Sequence, residues 1–65
     1  MNNIKIRQLF DYETWTYTYI LWDIDTRDTV IIDPVLEQTN RDLDCINKLN
    51  LNLIFILETH VHADH

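Results

Sequence analysis

The chain has 65 residues, and a domain of this size buries only about 60% of the surface that its unfolded form exposes. A single cysteine, Cys45, excludes an internal disulfide framework and favours a reducing, cytoplasmic location. With 46% apolar and 25% charged residues, the composition is that of a globular protein. The net charge of −6 disfavours nucleic acid and anionic membranes as partners, because both are polyanions.

The first half of the chain predicts three β-strands. Residues 4–10 begin with alternating apolar and charged side chains, which is the period of a half-buried strand. Most of residues 14–24 are β-branched or aromatic, with threonines predicted on one face and aromatic rings on the other. Residues 29–32 are nearly all apolar, which favours a strand covered on both faces.

The next segment predicts a helix. Thr39 is a suitable N-cap, and Asp42 three residues later completes a variant of the capping box. Asn50 or Asn52 is expected to end the helix, since asparagine replaces glycine in the left-handed cap. One apolar stripe is predicted to face the core, formed by Leu36, Leu43, Ile46 and Leu49.

Residues 53–57 form a second continuous apolar run and predict another buried strand. Residues 30–57 are therefore a strand–helix–strand candidate whose two strands run parallel. Ligands in such sheets bind beyond the carboxyl ends of the strands. Asp33 follows the first of these strands and the histidines follow the second. The sequence thus predicts an α/β fold with a ligand site at that edge.

The end of the chain carries the residues with the clearest chemistry: His60, His62, Asp64 and His65. Imidazole nitrogen and carboxylate oxygen are ligands for zinc and for non-haem iron. On extended backbone, residues two apart project to the same side, so His60, His62 and Asp64 can reach one ion. The pattern predicts a site for one or two metal ions, with a solvated histidine patch as the alternative.

Residues 60–65 resemble the His-x-His-x-Asp-His signature of the metallo-β-lactamase superfamily. Four further segments are similar to its persulfide dioxygenase branch, also called sulfur dioxygenases, namely residues 7–11, 16–21, 31–35 and 58–60. The resemblance implies a partial αββα sandwich, made of amino-terminal strands and one strand–helix–strand unit. Residues 1–65 would be the amino-terminal part of one domain that stops just after the signature.

The resemblance also implies a reaction, the oxidation of glutathione persulfide by O₂ to sulfite and glutathione at one Fe(II) ion. The implied partner is therefore a small-molecule persulfide. By position, His60 matches an iron ligand, and Asp33 matches an aspartate that buttresses the metal loop. His62, Asp64 and His65 match motif positions that bind zinc or paired metals in hydrolase relatives but sit beside the single iron in the dioxygenases. Further ligands would follow His65, so a protein ending there is expected to show no turnover.

Two alternative functions stay open. One is a glyoxalase II-like hydrolase of hydroxyacylglutathione thioesters, with Zn²⁺ activating a water molecule. The other is a truncated remnant without catalysis. Asp33 could be only a turn residue, and Glu58 a partner in a structural ion pair. Cys45 is predicted to be a packed thiol without a redox role. The rings expected to pack on the sheet, rather than stack on nucleic acid, are those of Trp15, Tyr17, Tyr19 and Trp22.

Overall fold

A computed structural model describes residues 3–59. Its elements are β1 (Ile4–Asp11), β2 (Thr16–Asp23), β3 (Asp28–Ile32), a 3₁₀ turn (Leu36–Gln38), α1 (Thr39–Lys48) and β4 (Asn52–Leu57). The strands form one sheet in the order β1-β2-β3-β4. The β1–β2 and β2–β3 pairs are antiparallel, whereas β3 and β4 are parallel. The predicted α/β fold and its parallel strand–helix–strand unit are confirmed.

The alternation predicted for β2 is present. Thr18, Ile20 and Trp22 are buried on one face, while Tyr17 is exposed on the other. The strand begins at Thr16 rather than two residues earlier. The reason is Trp15, whose φ of 54° lies in the left-handed region that strands do not use.

Helix α1 covers one face of the sheet. Ile46 of the helix packs with side chains of β2 and β3 in a core formed by Ile20, Trp22, Ile31, Ile46 and Leu51. Leu9, Cys45 and Leu49 pack against the edge of this core, as expected for the thiol. Full burial of an aliphatic side chain stabilises a fold by about 1.5–3 kcal/mol, so this small cluster provides the main stabilisation.

The opposite face of the sheet, called here the open face, is covered by none of the elements between residues 3 and 59. The strand register places one set of apolar residues on it: Ile4, Ile6, Phe10, Tyr17, Tyr19, Leu21, Val30, Ile32, Phe55 and Leu57. This face has the apolar character required for packing against a second sheet. The arrangement corresponds to one sheet and one helix layer of the implied sandwich.

The prediction that β4 is buried is wrong within residues 3–59. All six residues of β4 are exposed. The strand lies at the edge of the sheet, one of its faces belongs to the open face, and α1 leaves Leu53 and Ile56 on the other face exposed. The prediction for β3 holds in part. Thr29 and Ile31 are buried under the helix, whereas Val30 and Ile32 on the open face are only half-buried.

The start of α1 differs from the prediction, whereas its end agrees. Thr39 is not the N-cap, because the 3₁₀ turn before it gives Thr39 helical angles already, and its hydroxyl donates to the Leu36 carbonyl at 2.7 Å. Gln38 occupies the N-cap position without a side-chain cap. Asn50 ends the helix with a φ of 57°.

Two members of the predicted apolar stripe do not reach the core. Ile46 is buried and Leu49 packs against the core, but Leu36 is 83% exposed and Leu43 is 45% exposed. Leu36 lies in the 3₁₀ turn, whose geometry moves it out of the helical repeat. No helix within residues 3–59 has the length and apolar character needed to cross a membrane.

Candidate metal centre

The carboxyl ends of β3 and β4 form the edge of the sheet on which the candidate site is built. Because the two strands are parallel, Ile32 and Leu57 lie side by side as register partners. Asp33 follows β3, and Glu58 and Thr59 follow β4. Thr59 is the last described residue, and His60 comes next in the sequence. The edge therefore brings Asp33 to the point where the chain enters the histidine segment.

Asp33 is held by hydrogen bonds on both sides of its backbone. Its N–H donates to the Leu57 carbonyl at 2.8 Å, which ties the residue to the end of β4. Its carbonyl accepts a 2.8 Å hydrogen bond from the hydroxyl of Thr18 in β2. With a φ of 56°, Asp33 adopts left-handed backbone, which is uncommon outside glycine although aspartate tolerates it better than most residues.

The Asp33 carboxylate contacts Thr59 with both oxygens. The Thr59 N–H donates to Oδ1 at 2.6 Å, and the Thr59 hydroxyl donates to Oδ2. Two hydrogen bonds from one residue to one carboxylate fix its orientation as well as its position. The residue immediately before His60 is therefore attached to β3 through Asp33.

Thr59 contacts Asp33 at this edge, and the sequence analysis did not single it out. Its position in the sequence could have identified it, since a hydroxyl residue follows β4 just as Asp33 follows the parallel strand β3. Parallel strand ends meet at one edge, so the two side chains were candidates for contact. The contact joins the residue after β3 to the residue before His60.

The predicted metal ligands His60, His62, Asp64 and His65 lie outside the described residues. Asp33 is the one predicted site residue within them. Between residues 3 and 59 there is no group of three or more His, Cys, Asp or Glu side chains that could hold a metal ion. Glu58 is exposed and forms no ion pair with another residue of that range.

A buried carboxylate closes the neighbouring β1–β2 turn. Asp11 ends β1 and accepts hydrogen bonds from the Thr14 hydroxyl at 2.6 Å, the Thr14 N–H at 2.9 Å and the Gln38 amide at 2.7 Å. The Thr14 side chain, followed by Gln38, holds the pKa of Asp11 below its ordinary value. These contacts fix the turn to the segment that leads into α1.

A second carboxylate, Asp42 of α1, is buried with a single charged neighbour among the described residues. Its Oδ1 accepts a 3.2 Å hydrogen bond from Arg41 Nε, and Arg41 also donates to the Phe10 carbonyl at 3.0 Å. Loss of hydration raises the pKa of Asp42, against the opposing effect of Arg41. This pair joins α1 to β1.

The aromatic residues pack on one another along the sheet, as predicted. The Phe10 ring centroid lies 4.8 Å from that of Tyr17, and the Tyr17 and Tyr19 rings are stacked at 6.3 Å. Trp22 is buried in the core. Trp15 differs, since it is 78% exposed and meets Phe10 edge-on at 5.7 Å.

Comparisons with known proteins agree with this architecture. No family model matches the chain. It is 47% identical over 62 residues to "Persulfide dioxygenase ETHE1, mitochondrial" of Mus musculus, covering 95% of the chain and 24% of that relative. The crystal structure of ETHE1 from Myxococcus xanthus superposes with a TM-score of 0.86 at 56% identity, covering 94% of the chain and 27% of the solved protein.

A hydrolase is also similar, at lower identity. The hydroxyacylglutathione hydrolase of Rippkaea orientalis is 39% identical over 49 residues, covering 75% of the chain and 18% of that relative. The chain thus spans about a quarter of the persulfide dioxygenases that it matches and less of the hydrolase. By sequence and by its partial metallo-β-lactamase fold, the chain corresponds to a fragment of the ETHE1 persulfide dioxygenases.

Proposed function

We propose that residues 1–65 are the amino-terminal part of an iron-dependent persulfide dioxygenase domain, which oxidises glutathione persulfide with O₂ to sulfite and glutathione. The observation that carries this proposal is the similarity over 95% of the chain to proteins named persulfide dioxygenase. The contact between Asp33 and Thr59, directly before His60, supports it from the geometry. The activity is proposed for the whole protein, of which this chain represents about a quarter in its relatives.

The donor chemistry of residues 60–65 fits a transition metal. Three imidazoles and one carboxylate are available in His60, His62, Asp64 and His65, and these are ligand types that Fe(II) and Zn²⁺ both accept. We assign His60 as an iron ligand and the other three as the remaining positions of the site. Bound Fe(II) would supply open coordination positions for O₂ and for the soft persulfide sulfur.

Asp33 orients Thr59, the residue that precedes His60. Its carboxylate accepts both Thr59 hydrogen bonds, so the backbone that enters His60 starts from a fixed position. Residues that orient a metal ligand in this way commonly affect affinity by about 10–100-fold. In this proposal Asp33 does not bind the metal or the substrate.

The glyoxalase II-like hydrolase is the second candidate function. It is favoured by the 39% identity to hydroxyacylglutathione hydrolase, and it would use Zn²⁺ and a metal-activated water in place of O₂. Both the identity and the covered share of the chain are lower than for the persulfide dioxygenase. A non-catalytic remnant is the third outcome of the test below.

The test uses the intact protein, purified with its metal and analysed for iron and zinc. We expect iron, O₂ consumption with glutathione persulfide, and sulfite as a product. His60→Ala should abolish O₂ consumption, whereas Lys48→Ala, at an exposed helix position, should retain it. Thioester hydrolysis without O₂ consumption would establish the hydrolase instead. Absence of both activities together with absence of metal would establish the remnant.

We further propose a cytoplasmic location, for which the single unpaired cysteine is the support. The Mus musculus relative is named mitochondrial. Fractionation of the source cells with an antibody to the protein separates the two compartments. Recovery in an organelle fraction would overturn the proposal.

A further inference from the structure

We propose that Thr18 is a positioning residue, which holds Asp33 in the orientation that its carboxylate needs to bind Thr59. The geometry of residues 3–59 predicts that loss of the Thr18 hydroxyl loosens the backbone around Thr59. The predicted loss of metal affinity rests in addition on the proposed function. The substitution most informative for this role removes the Thr18 hydroxyl and keeps the shape of the side chain.

Thr18 is fully buried, with 0% of its surface exposed. Its Oγ1 donates to the carbonyl of Asp33 at 2.8 Å, across 15 residues of sequence. A buried hydroxyl needs a partner, and here that partner is the backbone of the residue at the candidate site. Thr18 therefore links the middle of the sheet to the edge that leads into His60.

The peptide that joins Asp33 to Pro34 explains why this hydrogen bond matters. Proline has no N–H, so the Asp33 carbonyl is the one hydrogen-bonding group of that peptide. The Thr18 hydroxyl holds this carbonyl, while the Asp33 N–H is held separately by Leu57. Together the two bonds fix the peptides on both sides of the Asp33 Cα.

Asp33 needs such support because its φ is 56°. Left-handed backbone is disfavoured for residues other than glycine and persists where surrounding contacts hold it. Without the bond from Thr18, Asp33 can relax towards more favourable angles. Its carboxylate would then turn away from Thr59, and the two hydrogen bonds from Thr59 would weaken.

Thr29 provides a matched control. It is also fully buried, and its hydroxyl donates to a backbone carbonyl, that of Arg27, at 2.9 Å. Thr29 lies near the amino end of β3, whereas Asp33 follows the carboxyl end. Thr29→Val therefore loses a hydrogen bond from a buried threonine hydroxyl to a backbone carbonyl at the opposite edge of the sheet, away from the contact between Asp33 and Thr59.

The experiment compares Thr18→Val, Thr18→Ser and Thr29→Val in the intact protein. The first measurement is hydrogen exchange of the Thr59 amide by NMR, without metal. Thr18→Val should exchange about five- to tenfold faster than the parent, as expected for losing one hydrogen bond. Thr18→Ser should stay within about twofold, and so should Thr29→Val.

The second measurement is the dissociation constant for Co²⁺, followed by the visible absorption of the ion. Thr18→Val should bind about tenfold more weakly, in line with residues that support metal ligands, and serine should restore binding. Unchanged Thr59 exchange in Thr18→Val, or an equal change in Thr29→Val, overturns the inference even if Co²⁺ binds normally. Faster Thr59 exchange in Thr18→Val alone supports the inference even if no variant binds Co²⁺, a result that overturns the proposed function.

Should Thr18→Val fail to fold, Thr18→Ala removes the same hydroxyl without filling the site. The matched control is then Thr29→Ala, and the same comparison of Thr59 exchange applies. Faster exchange in the Thr18 variant alone supports the inference, and equal exchange in both variants overturns it.

Discussion

Two buried aspartates respond to their surroundings in opposite directions. The Asp11 carboxylate accepts hydrogen bonds from Thr14 and Gln38, which lower its pKa. Burial raises the pKa of Asp42, although Arg41 opposes the shift. A lowered carboxyl pKa stabilises the fold at neutral pH, and this contribution disappears as the pH falls through the folded-state pKa. For Asp42, whose pKa is raised, the effect has the opposite sign. Protonation of this carboxyl favours the folded state, and this stabilisation is lost as the pH rises through the folded-state pKa.

We predict that Asp11→Asn destabilises the protein at pH 7 and that the difference from the parent shrinks below about pH 4. The ordinary pKa of the group is 3.8 and the fold lowers it, so the parent loses this stabilisation only in acid. Urea unfolding at pH 7, 4 and 3 measures the difference. Asp25→Asn, in the exposed β2–β3 turn, should show little difference at any pH. A constant difference for Asp11→Asn would contradict the prediction.

The sequence identified Asp33 but not the contacts that give it a role. An aspartate between an apolar run and a proline marks the end of a strand, and this much was readable. The left-handed φ of Asp33 and its contacts with Thr18 and Thr59 were not. They depend on the register between strands that are distant in sequence, and a single sequence carries little information on register.

At the scale of the elements, the end of α1 is a compact left-handed cap. The Asn50 N–H donates to the Asn47 carbonyl at 3.1 Å, and the Leu51 N–H donates to the Ile46 carbonyl at 2.9 Å. These are the bonds that satisfy the last carbonyls of a helix when one residue turns left-handed. Asn50 is that residue, and it does so without the help of glycine, which the chain lacks.

We predict that Asn50→Ala lowers the free energy of unfolding by about 1 kcal/mol, because alanine tolerates left-handed backbone less well than asparagine. Asn50→Gly should leave the stability unchanged or raise it slightly. Thermal or urea unfolding measures both. Asn40→Ala, at an exposed position inside the helix, controls for the introduction of alanine and should not destabilise. Equal stability of Asn50→Ala and Asn50→Gly would show that the cap is not strained.

Element positions were predictable to within a few residues, whereas burial and one helix end were not. Alternation and β-branched or aromatic residues identified β1 and β2, and continuous apolar runs identified β3 and β4. The apolar run of β4 indicated only that the strand favours burial; it did not indicate what covers it. Thr39 was a reasonable N-cap candidate, but the 3₁₀ turn before it had no clear sequence signal.

At the scale of the whole molecule, the open face and the exposed β4 strand dominate the surface. Phe55 of β4 is 55% exposed, and Ile6 and Tyr17 on the same face are also exposed. Contiguous apolar surface of this kind marks an interface with another chain or segment. At the edge of the described sheet, β4 adds backbone N–H and C=O groups with which a further strand can pair. We therefore expect the 65-residue chain alone to associate through this side.

We predict that Phe55→Lys reduces self-association of the 65-residue chain, measured by sedimentation velocity over a range of concentrations. Asn47→Lys, at an exposed position of α1, is the matched control because it changes the net charge by the same amount. Both variants move the charge towards zero, which alone would favour association. A smaller oligomer for Phe55→Lys but not for Asn47→Lys supports the role of the open face. Equal association of both variants would contradict it.

The topology of the sheet has a consequence for the order in which the protein folds. The turns from β1 to β2 and from β2 to β3 are short, so these hairpins can close early. The pairing of β3 with β4 must wait until α1 has crossed the sheet, because residues far apart in sequence have to meet. Asp33 follows β3 and Thr59 follows β4, so we expect their contact to form after both hairpins. A nascent chain is therefore expected to complete its sheet before the Asp33 carboxylate can hold Thr59.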